Sequence, residues 1–97
     1  MLERDYQARL IKKLERMFPG CMILKNDAEY RPGIPDLSIF YGARWAMLEV
    51  KVDAKSKYQP NQKYYLETLN NMGFASVIYP SIEEDVLSAL REALLGV

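Results

Sequence analysis

Ninety-seven residues, 49% hydrophobic and 27% charged, describe one domain that buries a core of its own and has no room for a second. No apolar run reaches bilayer length, and no apolar leader follows the charged start Met1-Leu2-Glu3-Arg4-Asp5, so the expectation is an intracellular protein outside the membrane. A single cysteine, Cys21, and the absence of histidine exclude an intramolecular disulfide, a Cys/His zinc site and every mechanism that needs an imidazole, while a net charge of zero argues against nucleic-acid binding through overall charge.

Any catalysis therefore rests on carboxylates, lysine, tyrosine or a metal, and a basic patch would have to be local. From Leu2 to Phe18, Tyr6, Leu10, Ile11, Leu14, Met17 and Phe18 recur at helical spacing among charged residues, which predicts an amphipathic helix stopped at Pro19-Gly20. Cys21 to Leu24 reads as a short strand, in which Cys21 serves as a small hydrophobe. Lys25 to Pro35 is crowded with turn formers and reads as a functional loop. Asp36 to Tyr41 and Arg44 to Val52 then form two antiparallel strands around Gly42-Ala43, which suits a type II′ turn.

Alternation along the second of these strands sends Ala46, Leu48, Val50 and Val52 to one face and Trp45, Met47, Glu49 and Lys51 to the other. A basic loop through Lys55 and Lys57 leads to Gln59-Pro60, where proline marks the first turn of a second helix. Tyr65, Leu66, Leu69 and Met72 form its apolar side, and Gly73 offers a left-handed cap. Phe74 to Tyr79 is a fourth strand. Ser81 and Glu84 have capping-box spacing before a third helix buried through Ile82, Val86, Leu87, Leu90, Ala93 and Leu94. The order αβββαβ plus a C-terminal helix is an α/β fold with a mixed sheet flanked by helices, its last strand parallel to its neighbour because a helix joins them.

The chemistry concentrates between Gly33 and Lys51. Glu49 and Lys51 stand two apart and share a face, roughly 6 to 7 Å apart along the strand. The short hairpin returns them to the start of the strand that Asp36 opens, so two carboxylates and an ammonium converge. Taken alone, a Glu-x-Lys in a strand is a surface charge pair at the sheet's edge. Two neighbouring carboxylates, however, stay ionised together only beside a cation, and oxygen ligands with incomplete protein coordination suit Mg2+ or Mn2+.

Pro35-Asp36 followed by Glu49-Val50-Lys51 resembles the PD-(D/E)XK nuclease superfamily. Gly33-Ile34-Pro35-Asp36-Leu37, Leu48-Glu49-Val50-Lys51, Gln59-Pro60-Asn61-Gln62 and Gly73 are similar to its VRR-Nuc branch, with Glu3 to Tyr79 covered. The resemblance implies a restriction-endonuclease-like core across a single nuclease domain, residues 1–97, that cuts branched DNA such as Holliday junctions as a homodimer. It implies that Asp36, Glu49 and the Val50 carbonyl hold the metal, with Glu3 rather than Glu15 as a further ligand from the first helix. Lys51 would act on the attacking water or the developing charge, and Gln62 would stand beside the site. Lys25, Arg31, Lys55, Lys57 and Lys63 are the candidate phosphate contacts. The tyrosines could stack on bases, yet Tyr64 and Tyr65 fall on a helix with an apolar face to fill, which assigns them to core or interface. Two other readings remain: a nuclease for flaps, ends or damaged duplex, and a silent nucleic-acid-binding protein on the same fold.

Overall fold

A computed structural model describes residues 1–97. Its elements are α1 (Glu3–Met17), β1 (Met22–Lys25), β2 (Leu37–Tyr41), β3 (Arg44–Val50), α2 (Gln62–Met72), β4 (Phe74–Ile78) and α3 (Glu83–Leu95), with a 3₁₀ turn at Pro80–Ile82. The strands lie in the order β1-β2-β3-β4, antiparallel at the first two junctions and parallel at β3–β4. This is the expected mixed α/β sheet, and the parallel junction follows from the crossover through α2. No helix is long and apolar enough to cross a membrane.

One face of the sheet makes the core. Leu37 and Ile39, Ala46, Leu48 and Val50, and Ile78 point to the side where α1 brings Tyr6, Leu10 and Leu14 and α3 brings Val86, Leu87, Leu90 and Leu94. The turn at Gly42-Ala43 connects Tyr41 directly opposite Arg44, with Gly42 at φ +60° and Ala43 not at positive φ, as a II′ turn requires. The register fixes which side chains share each face, so Glu49 and Lys51 project away from this core toward α2.

Several local expectations give way to tertiary demands. The second helix starts at Gln62 rather than Pro60, because Asn61 is left-handed at φ 72° and cannot sit inside a right-handed helix. Gly73 is extended rather than a left-handed cap. Its missing side chain is required instead by Trp45, whose indole carbons would lie 2.8 Å from an added Cβ. The Ser81–Glu84 capping box does not form: Ser81 belongs to the 3₁₀ turn, α3 begins at Glu83 without a side-chain cap, and Glu84 turns to Lys13 at 3.1 Å. Pairing as a strand ends at Val50, although the Lys51 N–H still donates to the Ile78 carbonyl at 2.9 Å.

The short β1 is an exposed edge rather than a buried strand, with Met22 and Leu24 open to solvent beside Phe40. On α2, Tyr65, Leu66 and Leu69 are only half-buried, Met72 is exposed, and the one buried residue is the polar Gln62. A helix whose single buried residue is a glutamine points to what that glutamine touches.

Candidate active site

β3 is an interior strand, so Glu49 and Lys51 are not an edge pair; they are 2% and 7% exposed. Burying two charges costs several kcal/mol per ion unless contacts offset it. The contacts are local and specific. The Lys51 Nζ lies 3.2 Å from Glu49 Oε2, donates to Gln62 Oε1 at 3.2 Å and donates to the Lys57 carbonyl at 3.0 Å. Gln62 Nε2 donates to Glu49 Oε2 at 2.8 Å, while its Oε1 also accepts the Gln59 N–H at 2.7 Å. Gln62 thereby joins both charged groups to the loop that precedes α2.

Asp36 stands one residue before β2, and the pairing of Leu37 with Leu48 carries it alongside Glu49. Its Oδ2 accepts the Val50 N–H at 2.8 Å. A residue that reads from the sequence only as a turn former braces this position: the Asn26 N–H donates to the Asp36 carbonyl at 2.8 Å, and its side-chain Nδ2 donates to the Pro35 carbonyl and to the Ser38 hydroxyl at 2.9 Å each. Gly33 completes the support. It adopts φ +93°, and a Cβ there would sit 2.8 Å from the Pro60 carbonyl and from Asn61 Cβ, so only glycine lets the first loop close against the start of α2. A cavity of about 330 Å³ opens between them, lined by Gly33, Ile34, Asp36, Gln59, Pro60 and Gln62.

The electrostatics mark the cluster as short of positive charge. Burial and then the Asp36 carboxylate push Glu49 up to about 7, against the opposing pull of Lys51. Burial likewise raises Asp36, opposed by the Val50 N–H and Lys51. Glu3, exposed at the start of α1, is raised by burial and by Asp36, which puts its charge within the field of the same site. Glu15 acts instead on Cys21, whose thiol is raised by burial and then by that carboxylate. One oxygen, Glu49 Oε1, is buried with no hydrogen-bond partner, a state that costs 1–3 kcal/mol or more for a charged group.

These residues fit a hard divalent cation. The donors are carboxylate oxygens, one has an unused buried atom, and no nitrogen or sulfur ligand competes. No group of three or more acidic side chains is gathered closely enough to enclose an ion as it stands. Magnesium does not require such a cage, since it keeps several waters and takes one or two carboxylates.

The five candidate phosphate contacts are all exposed, and they do not form one cluster. Lys57 and Lys63 line a common groove beside the site. Lys25 lies at the end of β1 opposite Leu37, Arg31 in the loop before Asp36, and Lys55 in the turn whose backbone N–H is held by Asp53. Asn26 and Tyr58 were not legible as site residues. Tyr58 lies 5.5 Å from the Lys51 ammonium and 5.4 Å from that of Lys63, measured to the ring centroid, and so joins the buried cluster to the exposed groove. No family model matches the chain, and no curated protein matches it in sequence.

Proposed function

We propose that the chain is a divalent-metal-dependent DNA endonuclease of the PD-(D/E)XK kind, close to the VRR-Nuc branch, which hydrolyses phosphodiester bonds in branched DNA such as four-way junctions with water as the nucleophile. The observation that carries this reading is the Glu49 carboxylate, buried on an interior strand with one oxygen unpartnered, beside Asp36 and two residues from Lys51. Sheet packing does not call for these groups: an apolar side chain at position 49 would fill the space without desolvating a charge. A buried carboxylate raised by burial and by neighbouring Asp36 and Glu3 is what a hard cation relieves.

In this reading Asp36, Glu49 and the Val50 carbonyl hold Mg2+ or Mn2+, and Glu3 adds negative charge from α1. When bound, the cation supplies positive charge against the oxygens of the scissile phosphate. The Val50 N–H aims Asp36. Lys51, held by Glu49 and Gln62, offers an ammonium that orients the attacking water or faces the charge developing on phosphorus-bound oxygen. Gln62 keeps that lysine and Glu49 in register. Lys25, Arg31, Lys55, Lys57 and Lys63 contact the DNA backbone, which positions a duplex without reading its sequence. A four-way junction needs two nicks and one chain holds one site, so the working unit is a homodimer.

A silent nucleic-acid-binding protein is the competing reading, and one observation favours it. All three donors of the Lys51 ammonium are engaged, by Glu49, Gln62 and the Lys57 carbonyl, so water or phosphate must displace one of them. Cleavage of linear, flapped and four-way DNA with magnesium, manganese or chelator separates the readings. The proposal expects metal-dependent cutting, strongest on the junction and lost in Glu49→Ala and Lys51→Ala. Preferred cutting of flaps or ends would keep the metal site and change the substrate, whereas no cutting of any substrate would support the silent protein.

A further inference from the structure

The largest concavity on the molecule is not the acidic cavity but the neighbouring groove of about 770 Å³, whose walls include Lys57, Tyr58, Gln59, Asn61, Lys63 and Tyr64. No acidic residue lines it, and the first turn of α2 carries none either. Two lysines and two tyrosines therefore face one open space with no anion to neutralise them. This is the residue chemistry that accepts a phosphate and a planar ring together.

Neither of these tyrosines is spent on the core; for Tyr64 the helical pattern leaves core or interface open, and its exposure decides against the core. Tyr64 is 63% exposed and Tyr58 39%. Tyr64 makes an edge contact with Tyr65, the ring centroids 5.4 Å apart at 71°, and remains accessible. A tyrosine ring has few rotatable bonds to freeze on binding a second ring. Tyr58 adds the connection inward, since its ring centroid is 5.4 Å from the ammonium of Lys63 and 5.5 Å from that of Lys51 in the buried cluster.

We infer that this groove is a binding site for an unpaired nucleotide, its base stacked on Tyr64 and its phosphate met by Lys57 and Lys63, next to the carboxylate cluster. The inference builds on the nucleic-acid reading above and names what that reading leaves open, a part of the substrate that is not base-paired. A duplex hides the faces of its bases in the stack and offers the groove only phosphates. A single strand offers both ring and phosphate. The same chemistry is carried by a free mononucleotide, so the source is decided by measurement.

The test is fluorescence anisotropy of an end-labelled ten-residue oligothymidylate in EDTA, where cleavage cannot interfere, beside a blunt duplex of the same length. The single strand is expected to bind more tightly than the duplex. Tyr64→Ala is expected to weaken single-strand binding by about tenfold, and Tyr64→Phe, which keeps the ring, to stay within about twofold of the parent chain. Displacement of the oligonucleotide by millimolar dTMP identifies the source as a mononucleotide, and binding that dTMP does not disturb identifies it as a strand; either result upholds the site. Equal affinity in Tyr64→Ala and the parent, or equal loss in Tyr64→Phe and Tyr64→Ala, overturns it. Because position 64 is exposed, unchanged melting temperatures are expected for both variants, and a lowered one in Tyr64→Ala with Tyr64→Phe intact leaves the comparison with duplex binding to decide. A chain that cuts no DNA yet binds oligothymidylate through Tyr64 would refute the nuclease and keep the groove, whereas a chain that cuts DNA and ignores Tyr64 would do the reverse.

Discussion

Lys13 and Lys51 each pair with a glutamate, and what surrounds the two pairs separates a brace from a site. Lys13, on α1, bonds Glu83 at 2.8 Å and Glu84 at 3.1 Å on α3, and Tyr6 donates its hydroxyl to Glu83 at 2.8 Å. Burial works to raise Glu83, but the hydrogen bonds from Lys13 and Tyr6 outweigh it and hold the carboxyl below its usual range. The hydrogen bonds that Lys13 donates to Glu83 and Glu84 in turn raise the lysine. Glu83 and Lys13 are thus each stabilised in the ionised form, and the cluster ties the two core-side helices together. The Lys51 cluster is the opposite case: it lies deeper, its glutamate is raised to about 7 by burial and then by Asp36, and one carboxylate oxygen is left unpartnered. A lysine–glutamate contact is thus uninformative by itself: the lysine lowers its glutamate in both clusters, and only at Glu49 do burial and Asp36 outweigh it.

Neutralising each glutamate in turn separates the two clusters by the largest effect. Glu49→Gln is expected to lower cleavage by about a thousandfold, the scale of losing a transition-state electrostatic contact. Glu83→Gln should leave cleavage intact and lower stability by on the order of 1 kcal/mol, as a charge-assisted hydrogen bond weakens. Cleavage assays with parallel denaturant melts check both, and equal losses of cleavage would erase the distinction.

The two clusters also have opposite pH signatures. Glu49 is raised in the folded chain, so the stability it contributes is full below about 4.5 and is lost as pH rises through about 7. Asp36 and Glu3 are raised too and act in the same sense. Glu83, being lowered, contributes stability above its usual value that is lost as pH falls through its folded one. The melting temperature of the chelated protein is therefore expected to fall between pH 5 and 8, and millimolar Mg2+ should reverse the fall at pH 8 but not at pH 5. A chelated protein equally stable at both values would contradict the account of Glu49.

Smaller effects test the supports. Gln62→Leu removes the amide that joins Glu49 to Lys51 and is expected to cost 10- to 100-fold in metal affinity or cleavage, on the order seen when a ligand loses its orienting partner. Asn26→Ala, which frees the Pro35 carbonyl and the Ser38 hydroxyl, should cost about 1–2 kcal/mol in stability and less cleavage than Gln62→Leu. A larger effect at Asn26 than at Gln62 would mean that the backbone around Asp36, not the Glu49–Lys51 pair, is the critical geometry.

The pattern of what was legible follows from the range of each interaction. The hairpin at Gly42-Ala43, the face that carries Glu49 and Lys51, and the parallel last strand follow from alternation and chain length, which are local. The depth of Glu49 does not, because it depends on β4 lying beyond β3 and on Gln62 arriving from α2. Asn26 looked like one more loop residue, since nothing nearby in sequence announces that its amide will meet Pro35 and Ser38. Gly73 reads as a left-handed cap and Gly33 as one turn former among several, but Trp45 and the Pro60 carbonyl, both distant in sequence, are what crowd out a side chain at each. For Tyr64, helical spacing leaves core or interface open, and only the tertiary packing of α2, which leaves that residue exposed, decides against the core.

Whether Asp36 and Glu49 hold a cation is open to test without any nucleic acid. Calorimetric titration of Mn2+ into the chelator-free protein at pH 8 should show binding that Asp36→Asn and Glu49→Gln abolish and that Glu83→Gln leaves unchanged. Binding of equal strength in Glu49→Gln and the parent chain, or no binding in the parent, would show that they do not.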